Sequence, residues 1–437
     1  LTAAARVRLP ATSRTFLYSG LATIAFPLSA FATAPILARG LGPDGRGELA
    51  ALLTPLAVAE AVAALGTPLA AAYFIRSGTR FRSVRSAGLW IVTLAGLATT
   101  LALVAAAPLL LGTYPELVPT FRWLAVGVFV GAYIEFYRGV RSGQEAYGRV
   151  NANYWLGAMG RLAGIVVLAL LGALTPERVA VLSIAVGLIA GLTLLHGRGP
   201  ATAEPPTAPG VTRRAMWRFS LQTWAGVVSG SIGSRLDQLL LIGLVTPEVL
   251  GVYVVAGTAA SVPMAFFPAI QRLFLNRAAG RSDAAVITKA SRLSATVALG
   301  TVLCLEPFMP LLVSVVFGPA FDDAGPLAQV LLVGAGFWGI GQGLSGLLIG
   351  VGKPAAASTA DAVGVVVMAG SLLGLHAWFG VMGAAVAVVL GSAVPALWKA
   401  ALLARHLGIP AVSLLVPAPR MLWRAVVPVR EGGDRDA

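Results

Sequence analysis

The sequence predicts an all-α polytopic membrane protein: about twelve transmembrane helices in two parallel six-helix halves, with both ends cytoplasmic. Three observations predict it: the composition, the length of the apolar runs, and the alternation of charge between the breaks. Of the 437 residues, 57% are hydrophobic and 11% charged, and the mean hydropathy is +0.83. A soluble domain carries about 25% charge. Too little polar surface remains here to cover a fold that meets water on all sides. A bilayer core of about 30 Å needs about 20 helical residues to cross it, and the apolar runs reach that length repeatedly.

The expected spans are Thr15–Ala38, Glu48–Ile75, Ser86–Leu111, Leu117–Val140, Asn153–Leu174, Glu177–His196, Trp217–Val245, Val249–Leu275, Ile287–Phe317, Gly325–Gly350, Ala355–Phe379 and Val381–His406. The first begins like a signal peptide, with Arg6, Arg8 and Arg14 ahead of an apolar stretch containing Ala30-Phe31-Ala32. It is long enough to span and is expected to be kept.

Loop charge tests the count, because cytoplasmic loops hold the Arg and Lys excess. Every second break is basic: Arg76, Arg80, Arg82 and Arg85; Arg138, Arg141 and Arg149; Arg198, Arg213 and Arg214; Arg272, Arg277 and Arg281; Lys353; and the tail with Arg420, Arg424 and Arg430. The alternate breaks hold Glu116, Glu177, Glu248, Asp322 and Asp323 against Arg178. The first outer loop, with Arg39 and Arg46, departs from the pattern. A miscounted helix would invert every later loop, so both termini are placed inside.

The longest inner break carries Pro200, Pro205, Pro206 and Pro209, a composition that resists helix and acts as a semi-rigid linker. The expected organisation is a six-helix bundle over 1–196, a linker over 197–214, a second bundle over 215–406 and a cytoplasmic tail over 407–437. The halves share Pro-[Asp/Glu]-x-x-Gly, as Pro43-Asp44…Gly47 and Pro247-Glu248…Gly251, at an offset of 204 residues. Gly148 and Gly352 share that offset. Six spans per half makes the repeats parallel, related by an axis along the membrane normal. Gly127/Gly131, Gly160/Gly164, Gly187/Gly191, Gly226/Gly230 and Gly346/Gly350 are Gly-x-x-x-Gly pairs that allow close helix approach. Pro27, Pro55, Pro68, Pro263 and Pro268 predict kinks.

Charges at bilayer depth cost at least about 2.5 kcal/mol on insertion scales, so they face a cavity or a partner. The candidates for a substrate or ion path are Arg235, Asp237, Glu60, Arg161 and Asp361. Arg235 and Asp237 stand two apart, which on a helix turns their side chains about 200° away from each other. One of them is expected to face a central cavity; the alternative is an ion pair that only fixes packing. Glu60 lies near the middle of the second span, Arg161 in the inner half of the fifth, and Asp361 about two turns into the eleventh. Glu135, three residues from Arg138, reads as an interfacial pair at helix spacing.

Other functions find no support. Most of the 32 basic residues sit at the ends of apolar runs, and they form no single nucleic-acid face. The single Cys304 excludes an internal disulfide. No Cys/His spacing suits a metal, and no cofactor is expected. Gly352-Lys353 is followed by Pro354 and has Leu347 where a P-loop needs its first Gly. No outer loop is long enough for the catalytic loop expected of a membrane glycosyltransferase. Enzymatic activity is not expected.

Arg39-Gly40-Leu41-Gly42-Pro43-Asp44-Gly45-Arg46-Gly47 before the second span resembles the opening of bacterial polysaccharide flippases. Arg218-Phe219-Ser220 leading to Arg235-Leu236-Asp237-Gln238, then Pro247-Glu248-x-x-Gly251-Val252-Tyr253, is similar to the start of their second half. These flippases belong to the multidrug/oligosaccharidyl-lipid/polysaccharide exporter superfamily. The resemblance implies two bundles around a central cavity that opens to either side in turn, in the bacterial cytoplasmic membrane. It implies export of an undecaprenyl-pyrophosphate-linked oligosaccharide by a functional monomer, with a proton or sodium as coupling ion. Arg235 and Arg161 are then candidates to hold pyrophosphate, since guanidinium offers a forked donor. Asp237 or Glu60 would carry the coupling ion. A drug/cation antiporter and a lipid II flippase of the same superfamily are the alternatives. A scaffold that keeps the fold without transporting stays open as a minor one. The tail from Ala411 to Arg430 is expected on the inner membrane surface or in solvent.

Overall fold

The computed structural model describes residues 11–195, 210–265, 267 and 284–418. The linker prolines, Pro268, Arg272, Arg277, Arg281 and the tail beyond Ala418 lie outside the described residues. Regular structure among the described residues is helical: α1 (Ala11–Ala63), α2 (Thr67–Arg76), α3 (Phe81–Leu110), α4 (Val118–Gly143), α5 (Tyr147–Leu170), α6 (Pro176–Leu195), α7 (Arg213–Gly233), α8 (Leu236–Ile242), α9 (Pro247–Ala260), α10 (Ala284–Leu305), α11 (Met309–Phe317), α12 (Ala324–Gly350), α13 (Pro354–Leu407) and α14 (Val412–Leu415).

Among the described residues, eight helical segments are long and apolar enough to cross a membrane. Two of them, Ser29–Arg76 with 48 residues and Ala355–Leu407 with 53, are too long for one crossing. At 1.5 Å per residue each would run roughly 70–80 Å if straight, more than twice the hydrocarbon core. Glycine divides both. Gly42 takes φ 68°, ψ −178° inside α1, and Gly380 takes φ 56°, ψ −139° inside α13. Without Cβ, glycine reaches this region at little cost. The two breaks separate the first expected span from the second and the eleventh from the twelfth.

Proline was a poorer guide to kinks. Pro55 sits in the part of α1 after Gly42, where no further residue leaves helical geometry. The second span breaks at Leu65 (φ 44°) and Gly66 (φ 68°). Gly66 caps α2 in the left-handed region that glycine reaches without steric cost, and Pro68 sits in the first turn of α2, where its missing amide is tolerated. Pro263 lies in a short 3-10 turn, Val262–Ala265. The seventh span is also discontinuous: α7 ends at Gly233 and α8 starts at Leu236.

The chain forms two compact units, Leu1–Val255 with Val316–Phe321, and Ala256–Val315 with Asp322–Ala437. In unit 1, α1 packs against α3, α4, α5 and α6 over buried Leu37, Leu49, Leu52, Phe121 and Phe136. Glycines permit the close approach. Gly160 and Gly164 of α5 face Val186 and Leu182 of α6, and Gly191 of α6 faces Ile134 of α4. The opposite faces carry Leu109, Trp123 and Leu170, each more than 80% exposed. Surface of this kind suits lipid and not water.

The two copies of Pro-[Asp/Glu]-x-x-Gly meet within unit 1. A Cβ on Gly47 would collide with the Pro247 carbonyl, and a Cβ on Gly251 would collide with the Pro43 carbonyl. Each glycine therefore seats the proline of the other motif, and the contact maps onto itself when the motifs are exchanged. Isologous contacts of this kind follow a local two-fold relation.

In unit 2, α12 packs along α13 and α10. The start of the tail docks here and does not lie free. Leu414 is fully buried beside Ile287, Leu344 and Leu347. Ser291 Oγ donates to the Leu414 carbonyl (2.8 Å), Arg292 Nε to the Val416 carbonyl (3.1 Å), and the Ala418 amide to Thr296 Oγ1 (2.8 Å).

Candidate substrate path in unit 1

Arg235 occupies the corner between α7 and α8, with φ −140°. Backbone bonds from the Arg235 amide to Ile232 O and from the Leu239 amide to Arg235 O, both 2.9 Å, hold the corner. The side chain leaves the helix surface and is exposed, yet it interacts electrostatically with Asp237, Glu60 and Arg161. Four of the five sequence candidates thus share one electrostatic neighbourhood.

Each neighbour is held differently. Asp237 accepts a 2.8 Å hydrogen bond from the Tyr253 hydroxyl of α9. It forms no ion pair with Arg235 among the described residues. Arg235 sits at a corner and not on a continuous helix, so the divergence of about 200° expected of two positions on one helix does not describe this pair. Gln238 accepts from Thr54 of α1 (3.3 Å), and Trp224 Nε1 donates to Val62 O (3.3 Å); both bonds tie the discontinuous seventh span to α1. Glu60 points at α4 where Gly131 leaves room: a Cβ there would lie 2.8 Å from Glu60 Oε1. Its electrostatic neighbours are Glu135, Arg138 and Arg235.

Arg138 is already committed. It pairs with Glu135, donates twice to Asn153 Oδ1 (3.2 and 3.0 Å), and stacks 4.8 Å over the Tyr154 ring. The pairing of Glu135 with Arg138 is the one its spacing suggested.

Arg161 needs a correction. Helix α5 starts at Tyr147, ahead of the expected Asn153, so Arg161 falls in the C-terminal half, which is the outer half in the expected topology. Its Nε is buried with no hydrogen-bond partner. Asp361, the fifth candidate, lies in unit 2 and is paired with Lys399, whose Nζ is 2.5 Å from Asp361 Oδ1. Lys399 was not singled out from sequence, because its short distance from the end of the last span hid its burial.

Arg46 was missed for a different reason. Its place between two apolar runs predicts an outer loop, but only Gly42 is non-helical in this stretch. Arg46 therefore sits on the helix that restarts after the glycine and is 8% exposed. Its exception to the charge alternation was the available signal.

Neither a protein-family model nor a curated relative matches the sequence. Solved structures do. A multidrug-resistance MATE-family transporter of the MOP superfamily, inward-facing, aligns with TM-score 0.71 at 16% identity, covering 89% of this chain and 99% of that one. The lipid II flippase MurJ, inward closed, aligns with TM-score 0.73 at 12% identity, covering 92% and 89%. A MOP-superfamily transporter from Pyrococcus furiosus, described as having a binding pocket of reversed polarity, aligns with TM-score 0.56 at 15% identity over 91% and 95%. The fold is that of the MOP-superfamily transporters. Multi-pass insertion in a membrane follows from that fold together with the apolar spans. At these identities the likeness extends to MOP architecture and not to cargo, which has to be argued from the side chains.

Proposed function

We propose that the protein is a membrane transporter that moves an undecaprenyl-pyrophosphate-linked oligosaccharide from the inner to the outer leaflet by alternating access. One observation carries the choice of an anionic cargo: Arg161 has Arg235 as its charged neighbour and no ion-pair partner among the described residues. Two guanidiniums kept near each other repel, and Arg161, whose Nε is buried without a partner, also loses hydration. An anionic group between them reverses both costs, and pyrophosphate matches their forked donors. Glu60 and Asp237, beside Arg235, are the groups for a coupling proton or sodium ion. Sugar and pyrophosphate cannot cross hydrocarbon unaided, so the polar lining supplies what the bilayer lacks.

The test is flipping of a fluorescent polyprenyl-pyrophosphate oligosaccharide in proteoliposomes. Arg235→Gln and Arg161→Gln are each expected to lower the initial rate by at least about tenfold, the loss of one charge-assisted contact. Unchanged rates, with cationic-dye efflux that depends on Glu60 and Asp237, would establish the drug/cation antiporter instead.

A further inference from the structure

Arg46 is the least accounted-for charge in unit 1. It is more than nine-tenths buried, and its Nε has no hydrogen-bond partner. Its charged neighbour is another cation, Arg161. Asp44 and Glu48 flank it in sequence, but two positions along a helix they project from other faces, and neither forms an ion pair with it. Arg46 also lies in the first turn after Gly42, where the positive end of the helix dipole disfavours a cation. Burial, like charge and dipole all act against a guanidinium here, and no described group compensates.

The electrostatic contacts form a series. Glu60 neighbours Arg235, Arg235 neighbours Arg161, and Arg161 neighbours Arg46. Arg235 stands at the α7–α8 corner, Arg161 in the C-terminal half of α5, and Arg46 at the start of the helix that follows Gly42. In the expected topology this order runs from mid-membrane toward the outer face.

We propose that Arg46 and Arg161 form a second anion subsite, on the outer side of Arg235, that receives a phosphate or pyrophosphate group. The inference rests on the anionic-cargo reading above and extends it: Arg161 is shared, so the group passes from the Arg235–Arg161 pair to the Arg161–Arg46 pair without losing its donors. Sharing one guanidinium between adjacent sites keeps each step shallow, as conduction through charged sites requires.

Purified protein in nanodiscs is titrated with inorganic pyrophosphate, and in parallel arms with geranylgeranyl pyrophosphate in the bilayer, reading the thermal unfolding midpoint. Arg46→Gln is expected to weaken binding about tenfold, and Arg46→Lys, which keeps charge but not the fork, by less. In low-salt buffer without phosphate, Arg46→Gln should unfold no earlier than wild type, since it removes an uncompensated cation; a structural arginine would show the opposite. Unchanged affinity in Arg46→Gln alongside a loss in Arg235→Gln overturns the second subsite and leaves the anionic cargo standing. No binding by wild type in either arm overturns both. Binding of free pyrophosphate but not the lipid keeps the subsite and assigns it to a soluble anion. If Arg46→Gln does not fold, Arg46→Lys decides: wild-type affinity for pyrophosphate overturns the subsite, and a partial loss supports it.

Discussion

Lys399 and Asp361 form an ion pair whose members are very unequal in burial, with side chains 2% and 54% exposed. Removing the exposed partner strands a buried charge, whereas removing the buried one leaves a carboxylate that water reaches. Asp361→Asn is therefore expected to cost about 3–5 kcal/mol, and Lys399→Met about 1 kcal/mol or less. Chemical unfolding in detergent reads both, and the reverse order would mean that Lys399 is held by something else. At Asp237 the same logic concerns a hydrogen bond. Tyr253→Phe takes away the hydroxyl that donates to the carboxylate and is expected to destabilise the fold by about 1–3 kcal/mol. If Asp237 carries the coupling ion, the variant also changes how flipping responds to an imposed proton or sodium gradient. Sequence named Asp237 and placed Tyr253 in a motif. It could not join them, because sixteen residues and a helix break separate the two and only packing closes the distance.

The Gly47–Pro247 and Gly251–Pro43 contacts make a prediction about elements. Each glycine lets one helix start seat against the proline of the other, so the two positions are equivalent in kind. Gly47→Val and Gly251→Val should each lower the unfolding midpoint and reduce flipping by similar factors. A tolerated change at one with loss at the other would show that only one of the contacts matters. The motif repeat was legible as an offset of 204 residues; that the copies touch was not, since spacing in sequence says nothing about which surfaces meet. The breaks at Gly42 and Gly380 were legible too, because apolar runs of about 50 residues cannot cross a bilayer once. The Leu65–Gly66 break was displaced from the proline that announces it. The backbone of α7 presses on Gly66 there: a Cβ would collide with the Ser220 carbonyl and meet the Trp224 amide at 2.9 Å. Gly66→Ala should therefore impair folding more than Pro55→Ala, judged by yield of folded protein in detergent.

For the whole molecule, the alternation of basic and acidic breaks makes a topology that labelling can test. In a Cys304→Ser background, Thr113→Cys should react with a membrane-impermeant maleimide in intact cells, and Gly78→Cys only after permeabilisation. Both positions are exposed turns at opposite ends of α3. Labelling at both or neither would break the expected topology. Membrane insertion and the all-helical class were determined by sequence alone, and sequence also named Asp237, Glu60 and Arg161, the three candidate charges that interact with Arg235. Hydropathy and charge bias act on each segment independently of its neighbours, so they can be read one segment at a time. The tertiary structure decided that Arg235 sits at a corner, that Arg161 belongs to the C-terminal half of its helix, that Asp361 has Lys399, and that Arg46 is buried beside a second arginine. Each depends on where a helix starts or on which residue packs opposite. Those contacts are long-range, and no local pattern encodes them.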